Sequence, residues 1–227
     1  MKNICLFILS LILLSKNGYS QSTSLSNKEK LEISNYYFNK LNNGALLVRL
    51  KSNKRKINAL KDNGYIDEAR RVEMNQNHYN SEIINAFTNE MTFCKTYFFY
   101  SDQSNNVKNK DFSEPFFLDS NLVIDESIEF SFDDFLIAEF GNIAKDTSNY
   151  KDFYITTEQN GEMKKPSYWG SQNFHFGALV VMTDDFVQLR KPFPSFVRTY
   201  DSIPLLKRAT FKVVARLNDK FLRFFAD

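Results

Sequence analysis

The chain has 227 residues, with 29 lysines and arginines against 27 aspartates and glutamates, and only two cysteines. That length suits one domain, and 23 phenylalanines supply bulk for its core. The near-neutral balance excludes the strong global positive field on which nucleic-acid binding draws, so no nucleic-acid partner is expected.

Lys2 opens the chain, and residues 4–14 form an apolar run broken only by Ser10. Ser15-Lys16-Asn17 follows, then Gly18-Tyr19-Ser20, with small residues at the −3 and −1 positions of a cut before Gln21. Charge, apolar run and small-residue exit, in that order, read as a secretory signal. The run is far shorter than the roughly 20 apolar residues that span a bilayer. Cys5 lies inside the run rather than at the cut, which argues against a lipoprotein. The expectation is a signal peptide over 1–20, cleaved between Ser20 and Gln21. The mature protein is then periplasmic or extracellular and has no stable membrane anchor. Loss of Lys2 and Lys16 leaves 27 bases and 27 acids, and Cys94 as the one remaining thiol. No internal disulfide can form, so stability falls to a core in which a chain of this size buries roughly 70% of its unfolded surface.

Residues 21–30 are polar and serine-rich and read as a disordered lead-in; 31–227 read as a single globular domain. Residues 31–41 suit a short helix, and Asn42-Asn43-Gly44 a turn. Residues 45–50 are almost continuously apolar, the pattern of a strand buried on both faces. A helical hairpin follows. Its first helix covers 54–61 and stops at Asp62-Asn63-Gly64, with a glycine suited to a left-handed cap. Its second runs from Asp67 towards Asn89, with Ile66, Ala69, Val72, Tyr79, Ile83 and Phe87 on one face. Gln76-Asn77-His78, polar all round, is its expected weak point. Residues 92–100 form an aromatic strand. Two strands joined through helices must be parallel, with a right-handed crossover. Residues 116–118, 128–130 and 135–140 are short and strand-like, and 141–177 are mostly loop. Residues 178–182 turn through Thr183-Asp184-Asp185 into 186–189 as a hairpin. Lys191-Pro192-Phe193-Pro194 breaks regular structure. An amphipathic helix over about 205–225 closes the chain, with Val214, Leu217, Phe221 and Phe224 as its stripe. The fold class is α/β: a mixed sheet of about five or six strands, with a hairpin crossover after the first strand and a C-terminal amphipathic helix.

Residues 44–50 before the hairpin, and Phe93-Cys94 leading into Tyr97-Phe98-Phe99-Tyr100-Ser101-Asp102 after it, resemble a group of exported bacterial proteins of unknown function. The resemblance covers most of the mature chain and implies no activity and no catalytic residue.

Chemistry-bearing residues are sparse. Cys94 shares a strand face with Thr92, Thr96 and Phe98 and reads as a core cysteine, with Lys95 on the opposite face. His78 and His175 have no ligand-spaced partner, so no metal site is expected. The serine-hydrolase elbow, the phosphate-binding loop and the dinucleotide fingerprint are all missing, and no cofactor is expected. Nine acids and no base lie between Asp111 and Glu139; nine bases and two acids lie between Arg190 and Arg223. Asp125, Glu129, Asp133 and Asp134 have calcium-type oxygen ligands without a calcium-loop spacing. The two segments are expected to face each other or to be solvated surfaces.

Ligands of open parallel sheets sit beyond the C-terminal strand ends, which nominates Lys51-Ser52 and Ser101-Asp102. These readings leave an exported, non-catalytic binding or structural domain whose partner the sequence leaves unknown, with a protein and a glycan both open. One alternative is a small extracytoplasmic hydrolase centred on Asp102 and supported by His175 or Glu139. Another is a glycan-binding module that uses Trp169, Tyr168 and Tyr154 in the aromatic loop 150–176. The signal reading has a direct test. Intact-mass analysis of the protein from its native cells should give a chain starting at Gln21; recovery with Met1 attached defeats it.

Overall fold

The computed structural model describes residues 26–143 and 176–226, so the expected signal segment lies outside the described residues. Helix α1, Asn27–Asn43, begins inside the stretch expected as a disordered lead-in. The reason is a capping box: the Glu29 N–H donates to Ser26 Oγ at 3.3 Å, and the Ser26 N–H donates to Glu29 Oε2 at 2.7 Å. Two otherwise orphaned donors are satisfied at once, so the polar residues 27–30 form a first helical turn.

Strand β1, Ala45–Leu50, follows directly through Gly44. A Cβ at position 44 would stand 2.0 Å from the carbonyl oxygen of Asp134 and 2.6 Å from that of Lys40. Only glycine admits this crossing. The crossing brings the Ala45 N–H to 3.3 Å from the Asp134 oxygen, where β1 meets strand β3, Phe135–Asn142, in parallel register.

The helical hairpin forms as α2, Lys54–Asp62, and α3, Ile66–Glu90, with Gly64 between them at φ +81°. The polar stretch expected to weaken α3 is instead tied down. The Asn53 amide donates to Gln76 Oε1 at 2.6 Å, Gln76 donates to Asn80 Oδ1 at 2.9 Å, and the buried Asn80 donates to the Lys51 carbonyl at 2.9 Å. Polar residues inside the helix thus satisfy the chain leaving β1.

Strand β2, Lys95–Tyr100, pairs with β1 in parallel, Val48 opposite Phe98. It starts three residues later than expected because Asn218 Oδ1 accepts the backbone N–H groups of Thr92 and Phe93, each at 3.0 Å. Cys94 therefore lies just ahead of the strand rather than within it. After β2 come a 3₁₀ turn, Ser101–Gln103, and the short helix α4, Ser104–Lys108. Residues 116–118 and 128–130 do not become strands; only the isolated bridges Phe99–Phe117 and Leu118–Ile124 form. Side-chain turns win there. Asp119 Oδ1 accepts from the N–H groups of Asn121 and Val123 at 2.8 Å, and Asp125 Oδ1 from that of Ser127 at 2.9 Å.

Strand β4, Gly177–Met182, runs antiparallel to β3 with Ala138 opposite Val181. The expected strand 186–189 shrinks to one bridge, Met182–Gln188, and the outer partner of β4 is β5, Phe196–Arg198. Pro192 and Pro194 lack the N–H a continuous strand would need, so pairing stops and resumes beyond them. The final helix, α5, Thr210–Ala226, starts five residues later than expected. Pro204–Leu206 forms a separate 3₁₀ turn, and the Arg208 N–H donates to the Thr199 carbonyl at 2.9 Å, pinning the loop between β5 and α5.

The result is one five-stranded mixed sheet in the order β2-β1-β3-β4-β5. One face, with Leu46, Val48, Leu50, Leu136, Leu179 and Val181, packs against Phe38 of α1, Ile84 and Phe87 of α3, and Leu217 and Phe221 of α5. The other face, with Leu47, Phe99, Phe135, Ile137 and Val180, is covered by Val107 of α4 and by Phe112, Phe116, Phe117 and Phe130. In that aromatic cover the rings of Phe112 and Phe130 have centroids 4.6 Å apart, as do those of Phe116 and Phe117. The outer edge of β5 has its carbonyls engaged: Lys220 Nζ donates to Phe196 O at 2.7 Å and the Arg208 guanidinium to Arg198 O at 2.8 Å.

Gly44→Ala forces a methyl group into backbone on two sides and should cost about 3 kcal/mol, lowering Tm by about 6–12 °C in a domain of this size. Gly64→Ala, where a Cβ meets nothing within 4 Å but φ is positive, should cost only about 1 kcal/mol. Thermal melts that rank the two the other way would contradict the crossing at Gly44.

Candidate functional site

The strand-end rule brings the nominated residues together. Ser52 Oγ, after β1, donates to Asp102 Oδ1 at 2.9 Å, and Lys54 Nζ lies 2.8 Å from Asp102 Oδ2. Burial alone would push the Asp102 carboxyl up, but hydrogen bonds from Lys54 and Ser52 and the charges of Lys54 and Arg55 outweigh it and hold the carboxyl below its ordinary value. A carboxylate kept ionised and bonded on both oxygens is a weak proton acceptor.

Glu139, on β3, has its own cation. The Arg49 guanidinium donates to Glu139 Oε2 at 2.6 Å and, through Nε, to Ser104 Oγ at 2.9 Å, while stacking over the Phe186 ring at 5.4 Å. Asp102 and Glu139 thus belong to separate polar groups, the first with Ser52 and Lys54 and the second with Arg49 and Ser104. His175, the third residue of the hydrolase reading, lies outside the described residues, as do Trp169, Tyr168 and Tyr154. His78 is exposed on α3 beside Glu82 at 3.4 Å. Burial pushes the Cys94 thiol up to about 12, so it stays protonated at neutral pH. Five of the nine acids of the run 111–139 hold turns or pairs, Glu139 among them through Arg49. Asp111, Asp119 and Asp125 hold turns, and Asp134 pairs with Lys40 at 3.2 Å. Among the described residues no group of three or more histidines, cysteines, aspartates or glutamates is placed to hold a metal ion.

An opening lies one strand further along. β1 departs toward β2 on one side while β3 lies on its other side, which makes the β1/β3 boundary the point where connections diverge and a crevice opens. A cavity of about 320 Å³ sits there, lined by Lys51 after β1, Gly141 and Asn142 at the end of β3, and Tyr79 of α3. It shares Tyr79, Phe140, Thr199 and Asp201 with a groove of about 830 Å³ between α3 and residues 199–211. Glu82, Asn85 and Asn89 line the helix side of the groove; Lys207, Arg208 and Phe211 line the other. These volumes are those of small-ligand sites.

Tyr79 and Asp201 form the polar corner of this groove. Burial, then the charges of Asp201 and Glu82, push the Tyr79 hydroxyl up to about 12, so it remains a hydrogen-bond donor at neutral pH. Its ring meets Phe140 edge-on with centroids 6.0 Å apart. Thr199 Oγ1 donates to Asp201 Oδ2 in a short hydrogen bond. Gly177 makes room for this pair, since a Cβ there would lie 2.5 Å from Asp201 Oδ2 and 2.8 Å from Thr199 Oγ1. The sequence nominated neither residue. Tyr79 looks like one more apolar position on an amphipathic helix, and Asp201 like a stray acid in a basic segment. The legible signal was the glycine opening an otherwise bulky strand, which marks a close approach.

An open mixed α/β sheet with a ligand-sized crevice at its strand ends is therefore the class of protein that fold and site define. The chain matches no known family, no curated protein and no solved structure.

The two polar groups should respond differently to substitution. With the folded-state carboxyl of Asp102 held low, its stabilisation is present above the unfolded pKa of about 3.9 and disappears as pH falls through the lower folded value. Asp102→Asn should cost less than about 1 kcal/mol at pH 7, because the pair is solvent-screened. In urea melts near pH 2 it should match the wild type. Glu139→Gln, which strips a largely buried guanidinium of its partner, should cost about 2 kcal/mol at pH 7. Equal costs at pH 7 would contradict the separation of the two groups.

Proposed function

We propose that this protein is an exported, non-catalytic binding domain that takes a small polar ligand into the groove between α3 and residues 199–211. The observation that carries the reading is the groove itself, about 830 Å³, which shares Tyr79, Phe140, Thr199 and Asp201 with the cavity of about 320 Å³ beside Lys51 at the strand ends. Its walls offer aromatic faces from Tyr79, Phe140 and Phe211, amides from Asn85 and Asn89, and charges of both signs from Glu82, Asp201, Lys207 and Arg208. Such a lining suits a compound with several hydrogen-bonding groups rather than a hydrocarbon. Two observations support binding over reaction. The Tyr79 phenol in the groove is held protonated. The Asp102 carboxyl, outside the groove, is paired and held below its ordinary value, away from neutral pH, where a general acid or base works best. Export rests on the leader sequence at residues 1–20.

A thermal-shift screen of sugars, amino acids, nucleotides and divalent metals tests the reading. A ligand present at 100 times its Kd stabilises the native state by about 2.7 kcal/mol, which raises Tm by about 5–11 °C for a chain of this length. Asp201→Ala and Tyr79→Phe should each reduce the shift given by that ligand. A ligand that stabilises Asp201→Ala and the wild type equally places its site elsewhere. Turnover of a compound that is lost in Asp102→Ala would replace binding with the hydrolase alternative.

A further inference from the structure

Between β5 and α5 the chain makes a loop whose apolar residues are turned outward. Leu205 is 97% exposed, Leu206 56%, Ile203 43% and Phe211, at the start of α5, 50%. The exposure is built in rather than a fray. Leu206 N–H donates to Ile203 O at 2.8 Å, closing the 3₁₀ turn, and the base is pinned by the Arg208 N–H on Thr199 O at 2.9 Å. Pro204 fixes the turn's first residue. A rigid tip presenting two leucines to water is costly unless something covers it.

The surroundings of the tip are basic. Lys207 and Arg208 follow it directly, and Lys212, Arg216 and Lys220 recur at four-residue spacing along one face of α5. Partial burial, then the charges of Lys191, Arg208 and Arg216, hold the Lys220 ammonium below its ordinary value, which places those four cations close together. None of the six makes an ion pair among the described residues. The acidic segment 111–139 does not neutralise them; its ion pairs go to Lys40 and Arg49. A protruding apolar tip followed by a helix face of cations without an ion pair among the described residues matches a surface that is apolar inside and anionic at its rim. A bilayer containing anionic phospholipid has that profile: acyl chains receive leucines a few ångströms below the headgroups while phosphates meet the lysines and arginines. An acidic protein would answer the cations, but it needs a pocket shaped for the tip, whereas a bilayer needs none.

We propose that the loop 203–206 and the basic face of α5 form a docking surface for anionic phospholipid membranes, with Leu205 and Leu206 as the inserting residues. The docking is peripheral and reversible, since two leucines with a basic rim fall far short of a spanning anchor. Its inserting residues, Leu205 and Leu206, do not line the ligand groove, although Lys207, Arg208 and Phe211 border both.

Vesicle co-sedimentation of the protein as recovered from its native compartment tests this, using phosphatidylcholine vesicles with and without 30% phosphatidylglycerol. Binding should require phosphatidylglycerol and fall away in about 0.5 M salt, where screening is nearly complete. Leu205→Ser combined with Leu206→Ser should weaken partitioning tenfold or more with Tm unchanged, since both side chains are solvated in the free protein. Lys212→Gln combined with Arg216→Gln should weaken it about 25-fold, at roughly fivefold per charge. A leader still attached would add the same background to every variant. Failure of the wild type to bind phosphatidylglycerol vesicles overturns the proposal and leaves an acidic protein as the occupant. Equal binding by the wild type and the double serine variant overturns it as well.

Discussion

The structure depends on burying one strand completely from both sides. In β1, Ala45, Leu46, Leu47, Val48 and Leu50 are all fully buried. An apolar strand of this kind needs two covers, and the chain supplies two of different construction. Helices α1, α3 and α5 provide a conventional helical layer. Among the described residues the opposite cover has one five-residue helix and a wrap of phenylalanines held in shape by aspartate turns. Here lies the explanation for so aromatic a composition. A loop has no regular face to offer a sheet, so it fills the space with large rings that pack edge-on and tilted against one another. Arg49 alone interrupts β1, and it does so at the rim, where Glu139 and Ser104 meet its charge.

Much of this architecture could be read from residue patterns. The continuous run 45–50, the turn at Asp62-Asn63-Gly64 and the aromatic run before Tyr100 together specify a parallel pair with a helical crossover, and the pairing of Ser52 with Asp102 follows from it. Most departures share one cause: at Ser26, Asp119, Asp125 and Asn218, a polar side chain satisfies the backbone and overrides the local pattern, whereas prolines interrupt the segments 186–198 and 204–210. Asn218 is the clearest case, because it sits 126 residues from the backbone group that it holds. No window around Thr92 contains that information. The groove was hidden for the same reason, since its walls come from α3, β3 and the 199–211 loop.

Charge segregation along the sequence has a different meaning at each end. The acidic stretch is dispersed: Asp111, Asp119 and Asp125 are taken up singly by turns, and Asp134 and Glu139 by Lys40 and Arg49. The basic stretch is gathered, because the four-residue spacing on α5 and the return of β5 beside it place cations side by side. Each of the two has been organised by its secondary structure. Turns scatter their side chains, whereas a helix aligns them.

The margins of the sheet have a further consequence. On β5, a strand of three residues, the carbonyls of Phe196 and Arg198 are occupied by Lys220 and Arg208. On β2, at the far side, Leu118 N–H donates to Phe98 O at 2.9 Å and Phe117 bridges Phe99. Among the described residues each flank is thus partly capped, which shortens the row of free donors and acceptors through which one molecule could add itself to the next. Side-chain cations do this on one margin and the wrapping loop on the other, a brake on polymer growth in a chain rich in phenylalanine.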